Sequence, residues 1–300
     1  MNGILVGTDG GLRGIGGAVR PGLEGGVTAL ARGAGALWAI SDGRTLWRSA
    51  DAPWERVAEA PGLRLNCLLA LDDGTVYVGA GEARLLRLRA GRLERVASFD
   101  EVEGRVDWYT PWGGPPDVRS LSADPAGVVY AGVHVGGIVW SADDGETWVP
   151  SDLDIDVDVH QALAHPTDSR RVLAATAYGL AESRDGGDSW TIHDEGLHAT
   201  YSRAVAASVK ELFLSTSRGH TGEDAAVYRF RDGEFTRVTG GLPETFDDNV
   251  DTHLLAADGR HVAIGTGDGR VFASSDEGRT WRQVAEELGR VTCLLLARSA

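Results

Sequence analysis

The chain has 300 residues, of which 42% are hydrophobic and 41 are glycines. This length allows one large domain, and the composition is typical of a globular protein with short strands and many turns. The net charge of −15 argues against nucleic acid and anionic membranes as partners, because both select a basic surface.

No apolar run approaches the roughly 18 residues that a membrane-spanning helix needs. Met1 is followed closely by Gly3-Ile-Leu-Val-Gly, without the basic segment that opens a signal peptide, so we expect a cytoplasmic protein. Cys67 and Cys293 both lie in apolar strand sequence, which predicts buried free thiols.

Seven apolar runs recur along the chain. Each of the earlier ones is followed by a turn, a second run that contains glycine, and a third run. The seven runs begin at Val27, Leu65, Val118, Val159, Ser202, Thr252 and Val291. Such self-similar units indicate a repeat architecture in which each unit packs on its neighbours.

An eight-residue frame, Ser-x-Asp-x-Gly-x-Thr/Ser-Trp, closes three of these units. The copies are Ser141–Trp148, Ser183–Trp190 and Ser274–Trp281. Aspartate can bond backbone groups two residues further on, and glycine accepts a positive φ, so the frame predicts a tight turn. The tryptophan begins the next strand and is large enough to fill the gap between neighbouring sheets.

The frame resembles the Asp-box (BNR) repeat of β-propellers. Ser49–Trp54 is similar to a shortened copy, and Arg231–Phe235 keeps only the turn. The resemblance covers nearly the whole chain and implies an all-β propeller. It also implies that the frames lie on the bottom face, and that the connections between blades lie on the opposite, top face.

In this interpretation, the strands at the two ends of the chain form one blade together. The run at Val291 has no strands after it, whereas residues 3–11 resemble a second strand without a first. Joining them closes a seven-bladed propeller with a composite blade and removes exposed sheet edges; a six-bladed ring is the alternative. The blades are predicted at residues 27–63, 65–99, 117–152, 158–197, 201–243, 249–288, and 291–300 with 1–20.

The second residue of each predicted innermost strand is polar. The series is Thr28, Asn66, Arg119, His160, Arg203, His253 and Thr292. Side chains alternate along a strand, so the pseudo-symmetry of the ring gathers these residues around the channel mouth. Arg119, His160, Arg203 and His253 are the predicted catalytic groups, and Asn66 is a predicted substrate-binding residue. Hydrogen bonding to nearby loops is the structural alternative.

Two insertions on the predicted top face supply further substrate-binding candidates. The longest connection between blades, residues 99–117, contains Trp108 and Tyr109, which we expect to wall the site. An extended loop at residues 217–224 contains His220. Alternatively, the aromatic side chains pack within their own loop.

Histidines and aspartates are concentrated on the same predicted face. His134, His160, His198 and His253 are the predicted ligands of a divalent metal ion, with acidic residues nearby at 154–158 and 247–251. Imidazole and carboxylate together suit zinc, iron, copper or manganese. The ligands would come from separate blades. No phosphate-binding loop is present, and no nucleotide cofactor is predicted.

Three functions remain open at this point. The first is a ligand-binding propeller that acts as a metal-dependent hydrolase or lyase on a small carboxylate- or peptide-like substrate. The second is a non-catalytic protein-interaction or assembly scaffold, as in the photosystem II assembly factor that the repeats resemble. The third is a sialidase-like glycoside hydrolase, although the chain lacks the Arg-Ile-Pro element and the third arginine of that family.

Overall fold

The strands form a closed ring of seven antiparallel sheets. The computed structural model describes residues 3–16, 22–23, 25–50 and 53–297. Within those residues six sheets have four strands and one has three, and the strands of each four-stranded sheet follow one another in chain order. This arrangement is a seven-bladed β-propeller. The predicted fold is confirmed, and the six-bladed alternative is wrong.

The first strands of the chain, β1 (Ile4–Thr8) and β2 (Gly11–Ile15), belong to the composite blade. Blade 1 consists of β3 (Val27–Gly33), β4 (Ala36–Ser41), β5 (Thr45–Ser49) and β6 (Glu55–Glu59). Blade 2 consists of β7 (Leu65–Ala70), β8 (Val76–Ala80), β9 (Arg84–Arg89) and β10 (Arg92–Arg95). Blade 3 consists of β11 (Val118–Ala123), β12 (Val129–Val133), β13 (Gly137–Ser141) and β14 (Val149–Pro150).

Blade 4 consists of β15 (Val159–Ala164), β16 (Val172–Thr176), β17 (Gly179–Ser183) and β18 (Thr191–His193). Blade 5 consists of β19 (Tyr201–Ala207), β20 (Leu212–Ser217), β21 (Ala226–Arg231) and β22 (Glu234–Arg237). Blade 6 consists of β23 (Leu255–Asp258), β24 (His261–Gly265), β25 (Val271–Ser274) and β26 (Arg282–Ala285). The last strand, β27 (Val291–Leu296), is the innermost strand of the composite blade.

The ring is closed by pairing between the first and the last strand. β27 lies antiparallel to β1, with Ile4 opposite Leu296 and Val6 opposite Leu294. On its other side β27 contacts β3 of blade 1. Every innermost strand contacts the innermost strands of both neighbouring blades, so the ring has no gap between its first and last blades.

Each of the three Ser-x-Asp-x-Gly-x-Thr/Ser-Trp frames connects the third strand of a blade to the fourth. In blade 3, Asp143 accepts hydrogen bonds from Ser141 Oγ at 2.9 Å, from the backbone N–H of Thr147 at 2.9 Å and from its hydroxyl at 2.6 Å. The N–H of Gly145 donates to Ser141 Oγ at 2.9 Å. The same bonds recur in blades 4 and 6. One carboxylate thus holds the whole turn, which explains the recurring residue types.

The tryptophan of a frame packs between neighbouring blades. The ring of Trp148 meets those of Phe99 and Tyr77 edge-on, with centroids 5.2 and 6.3 Å away. The Tyr77 hydroxyl donates to the carbonyl of Asp144 at 2.7 Å, which joins blade 2 to blade 3. Such contacts bury large apolar areas between the sheets.

The remaining elements are short. The helix α1 (Ala97–Asp100) and the 3-10 turn Arg105–Asp107 lie between blades 2 and 3, and the 3-10 turn Ile155–Val157 lies between blades 3 and 4. None of the helices within the described ranges is long and apolar enough to cross a membrane. Cys67 and Cys293 are buried and free, as predicted, and burial raises the pKa of both thiols to about 12.

Candidate functional site

The innermost strands share a register shift at the predicted polar ring. In five of them one residue is left out of the pairing with the second strand, namely Thr28, Asn66, Arg119, His160 and Thr292. In β19 both Arg203 and Ala204 are left out. Bulges of this kind bend a strand and turn the unpaired residue out of the regular alternation. The fold therefore sets a polar residue apart at the same end of six innermost strands.

Blade 6 departs from this pattern. The sequence predicted an innermost strand from Thr252, but β23 starts at Leu255, and His253 has a φ of +69°. A turn precedes the strand instead, closed by a 2.9 Å hydrogen bond from the N–H of Leu254 to the carbonyl of Asp251. The left-handed conformation of His253 is incompatible with a strand. We call Asp251–His253 the crossing segment.

The side chains of the crossing segment bond to three other blades. The Thr252 hydroxyl lies 3.2 Å from the carbonyl oxygen of His160 and 3.0 Å from that of Arg203. His253 Nε2 lies 3.1 Å from the carbonyl oxygen of Arg119. That oxygen can only accept a hydrogen bond, so Nε2 carries the proton. Burial lowers the pKa of His253, and the neutral imidazole holds blade 3 to blade 6.

The carboxylate of Asp251 binds two of the predicted site arginines. Arg203 Nε and Nη2 each lie 3.0 Å from one of its oxygens, and Arg119 Nη2 lies 3.3 Å from Oδ1. Burial raises the pKa of Asp251, but the two guanidinium groups outweigh burial and the pKa is lowered. This forked geometry is the one in which arginine binds carboxylates. One negative charge is therefore shared by two positive charges.

A cavity of about 450 Å³ opens beside the crossing segment at the channel mouth. Its charged lining, apart from histidine, consists of Arg64, Arg119, Arg203, Arg290, Asp117 and Asp251. Four arginines face two aspartates in a chain whose net charge is −15. The mouth is thus a positively charged cavity in an acidic protein, and such a cavity concentrates anions.

Blades 1 and 2 each contribute to this mouth a polar atom that lacks a hydrogen-bond partner among the described residues. Thr28 Oγ1 and Asn66 Nδ2 are buried, and neither has a hydrogen-bond partner within the part of the chain that the structure describes. Both residues line the cavity. A buried polar atom without a partner costs about 1–3 kcal/mol, so a water molecule or a ligand that bonds to them is favoured.

Two of the four predicted metal ligands, His134 and His160, meet at Asp158. Nε2 of His134 lies 3.2 Å from Asp158 Oδ1, and Nε2 of His160 lies 3.5 Å from Oδ2. One potential ligand atom from each residue lies within 4.8 Å of the other two. Burial lowers the pKa of His160 to about 3, an effect that the Asp158 carboxylate opposes only in part. His160 is therefore neutral at neutral pH.

The other two predicted metal ligands lie elsewhere. Nδ1 of His198 lies 2.9 Å from the Tyr228 hydroxyl, and its Nε2 lies 2.8 Å from the carbonyl oxygen of Asp224. Both ring nitrogens of His198 are thus used in local hydrogen bonds. His253 belongs to the crossing segment. The structure does not bring the four histidines together as one ligand set.

The predicted aromatic wall lies outside the lining of the mouth. Trp108 packs on Phe99 at a centroid distance of 6.0 Å and against the guanidinium of Arg105 at 4.8 Å. The Tyr109 hydroxyl donates to Asp156 at 3.2 Å. These contacts correspond to the alternative in which the aromatic side chains pack within and beside their own loop.

Among the other predicted substrate-binding residues, Asn66 lines the mouth and His220 does not. His220 is exposed in the loop between β20 and β21. A different aromatic residue of the long connection, Trp112, borders the mouth. Its side chain is 70% exposed, and its ring lies 5.2 Å from that of His134.

Several charged residues at or beside the mouth were not predicted individually as site residues. They are Arg64, Asp117 and Arg290, which line it, and Asp158, which lies in the acidic segment 154–158; each immediately precedes an innermost strand. A comparison of this position among the repeats would have revealed them. Asp251 offers no such signal, because a turn specific to blade 6 places it.

The comparisons with known proteins support the fold. Neither a protein-family model nor a curated protein sequence matches the chain. A GH74 enzyme from Niastella koreensis has a similar structure, with a TM-score of 0.64 and 14% identity over 93% of this chain and 46% of that one. The chain therefore spans less than half the length of that enzyme.

A second similar structure is YCF48 from Cyanidioschyzon merolae, with a TM-score of 0.62 and 15% identity over 97% of this chain and 90% of that one. A structure of YCF48 bound to D1 peptide has a TM-score of 0.58 and 15% identity, over 94% and 84% of the two chains. At identities this low, the structural similarity shows a shared propeller fold alone. Proteins with this fold include an enzyme and a protein that binds a peptide, so the fold leaves the activity open.

Proposed function

We propose that the protein binds a carboxylate-bearing ligand, a small acid or a peptide, at the channel mouth. The observation that carries this proposal is the excess of arginine over aspartate around a concave site in an acidic chain. Such a site raises the local concentration of anions, and arginine N–H groups bind carboxylates in pairs.

Arg64 and Arg290 are the groups that hold the carboxylate of the ligand. Both side chains are exposed and line the mouth. Among the described residues, the nearest carboxylate oxygen to the Arg290 guanidinium is on Asp248, 3.8 Å away, which is too far for a hydrogen bond. Asn66 Nδ2 and Thr28 Oγ1 lack partners within the described residues and provide further donors.

Arg119 and Arg203 have a different role in this proposal. Asp251 already occupies the fork of Arg203 and one nitrogen of Arg119. They therefore supply positive charge to the wall of the cavity while their positions stay fixed.

A peptide is one ligand class that this fold accommodates, since one similar structure is YCF48 bound to D1 peptide. The cavity volume of about 450 Å³ lies within the range of about 300–1,000 Å³ that is usual for small ligands. The exposed ring of Trp112 beside the cavity provides an apolar surface for the rest of such a ligand.

A metal-dependent hydrolase or lyase is the second candidate, favoured by the position of His134 in both the mouth lining and the His134–Asp158–His160 group. A metal ion there would polarise a ligand oxygen or activate water. We do not propose sialidase-like glycoside hydrolysis, because the chain lacks the Arg-Ile-Pro element and the third arginine of that family.

Isothermal titration calorimetry with succinate, with trialanine and with trialanine amide tests the proposed function. We expect succinate and trialanine to bind, and the amide to bind about tenfold more weakly or worse, because hydrogen bonds to charged groups contribute about 1.5–3 kcal/mol. Arg64→Gln and Arg290→Gln should both weaken the binding of trialanine.

Arg92→Gln is the matched control, because Arg92 is exposed on the outermost strand β10, away from the mouth. This variant should bind trialanine as the unmodified protein does. No binding of either carboxylate, or equal binding of trialanine and its amide, would contradict the proposed function.

A further inference from the structure

We infer that His134, Asp158 and His160 form a binding site for a divalent transition-metal ion such as zinc. The key atom is His160 Nε2, which is fully buried and has no hydrogen-bond partner among the described residues. The other ring nitrogen, Nδ1, lies 2.8 Å from the carbonyl oxygen of Ser202. That oxygen can only accept, so the proton sits on Nδ1 and Nε2 presents a lone pair.

This lone pair faces a carboxylate. Asp158 Oδ2 lies 3.5 Å from His160 Nε2. Asp158 Oδ1 is also buried and lacks a hydrogen-bond partner in the described part of the chain, although His134 Nε2 is 3.2 Å away. Two acceptors that face each other repel, and the buried Nε2 also keeps its cost of desolvation. A cation between them removes both costs.

The distances suit a zinc ion. Nitrogen and oxygen ligands lie about 2.0–2.2 Å from tetrahedral zinc, so neighbouring ligand atoms are about 3.3–3.6 Å apart. The two nitrogen–oxygen separations, 3.2 and 3.5 Å, are close to these values but involve different oxygens of Asp158. One ligand atom from each residue lies within 4.8 Å of the other two, so the three side chains would draw closer around a bound ion. Two imidazoles and one carboxylate suit first-row transition metals, whereas calcium and magnesium prefer oxygen ligands alone.

The backbone holds the three ligands in place. The N–H of His134 donates to the carbonyl of Asp117 at 3.0 Å. Asp158 has a φ of +55°, a conformation that aspartate adopts more readily than most residues. The hydrogen bond from His160 Nδ1 to Ser202 is the outer contact that metal-binding histidines usually make. The site is therefore preorganised by blades 3, 4 and 5.

Three protein ligands leave one position of a tetrahedral ion for water or an added ligand. His134 belongs to the lining of the mouth as well as to this group. The centroids of the Trp112 and His134 rings are 5.2 Å apart. The metal site thus borders the mouth, but its evidence is independent of the carboxylate proposal.

The test is a calorimetric titration of the untagged protein with zinc, after treatment with a chelator has removed any bound metal. We expect one ion per chain and a higher melting temperature with zinc. Asp158→Asn keeps the shape and tolerates the same positive φ, and it should lower the zinc affinity by about tenfold or more. His134→Gln should have the same effect. Melting curves of the metal-free variants test whether they remain folded.

His220→Gln is the matched control, since His220 is an exposed histidine outside the group. It should bind zinc as the unmodified protein does, and so should Arg64→Gln, which separates this proposal from carboxylate binding. Failure of the unmodified protein to bind one ion per chain would overturn the inference and leave a buried His–Asp pair. Equal zinc affinity in Asp158→Asn and the unmodified protein would overturn it too.

Discussion

A single carboxylate, that of Asp251, carries much of the charge balance at the channel mouth. Its removal would leave Arg119 and Arg203 side by side without the counter-charge that they share. Breaking a fully buried ion pair in this way costs about 3–5 kcal/mol. The side chain of Asp251 is 31% exposed, so solvent screens part of the effect. We therefore expect the removal of this side chain to lower the free energy of unfolding by about 1–3 kcal/mol.

Asp251→Ala should therefore be less stable than the unmodified protein, and acetate should restore part of the loss. The truncated side chain leaves the fork of Arg203 open, and a free carboxylate fits the same place. Thermal unfolding in sodium acetate and in sodium chloride of equal ionic strength measures the effect. If acetate raises the melting temperature of Asp251→Ala no more than that of the unmodified protein, this account of the pair is wrong.

At the scale of the element, the turn frames connect stability to pH. Hydrogen bonds from Ser189 and Ser183 lower the pKa of Asp185 to about 2, and bonds from Thr280 do the same for Asp276, against a usual value of 3.8. The folded state therefore binds these protons less readily than the unfolded chain does. Their contribution to stability is complete above pH 3.8 and is lost as the pH falls through about 2.

The double variant Asp185→Asn/Asp276→Asn should be less stable at pH 7 and should lose less stability between about pH 4 and 2 than the unmodified protein. Urea unfolding across this pH range gives both quantities. Asp188→Asn is the control, because Asp188 is an exposed carboxylate of the same frame as Asp185. Parallel stability–pH curves for the double variant and the unmodified protein would contradict the prediction.

The blades could be predicted from the sequence because their signals are local. A frame such as Ser141–Trp148 contains all the donors and acceptors of its own turn, and the apolar runs repeat within each blade.

The site was harder to predict. His198 is held by partners on β21 and the loop before it, and the turn of His253 replaces a strand that alternation alone indicated. Both depend on contacts between distant parts of the chain, which spacing does not reveal.

At the scale of the whole molecule, the closure between β1 and β27 can be tested without shortening the chain. A Cβ atom at Gly7 on β1 would overlap Cys293 Sγ on β27 and lie 2.7 Å from the carbonyl oxygen of Val27 in blade 1. Gly7→Ala should therefore lower the free energy of unfolding by about 1–3 kcal/mol. Urea unfolding measures this change.

Gly10→Ala provides a comparison within the same blade, since the nearest atom to its Cβ would be 3.8 Å away. This substitution should leave the free energy of unfolding unchanged within about 0.5 kcal/mol. Equal effects at the two glycines would show that the packing around β27 does not determine the stability of the ring.

The pairing of Ile4 with Leu296 also determines the order of events during synthesis. Bringing together residues so far apart in the chain costs about 5 kcal/mol of loop-closure entropy, a cost that falls once the intervening blades are compact. β1 is made before every other strand of the propeller, and its partner β27 is made after them. Until then β1 presents an apolar edge with unpaired backbone groups, and that interval is when the nascent chain is most open to pairing with another molecule.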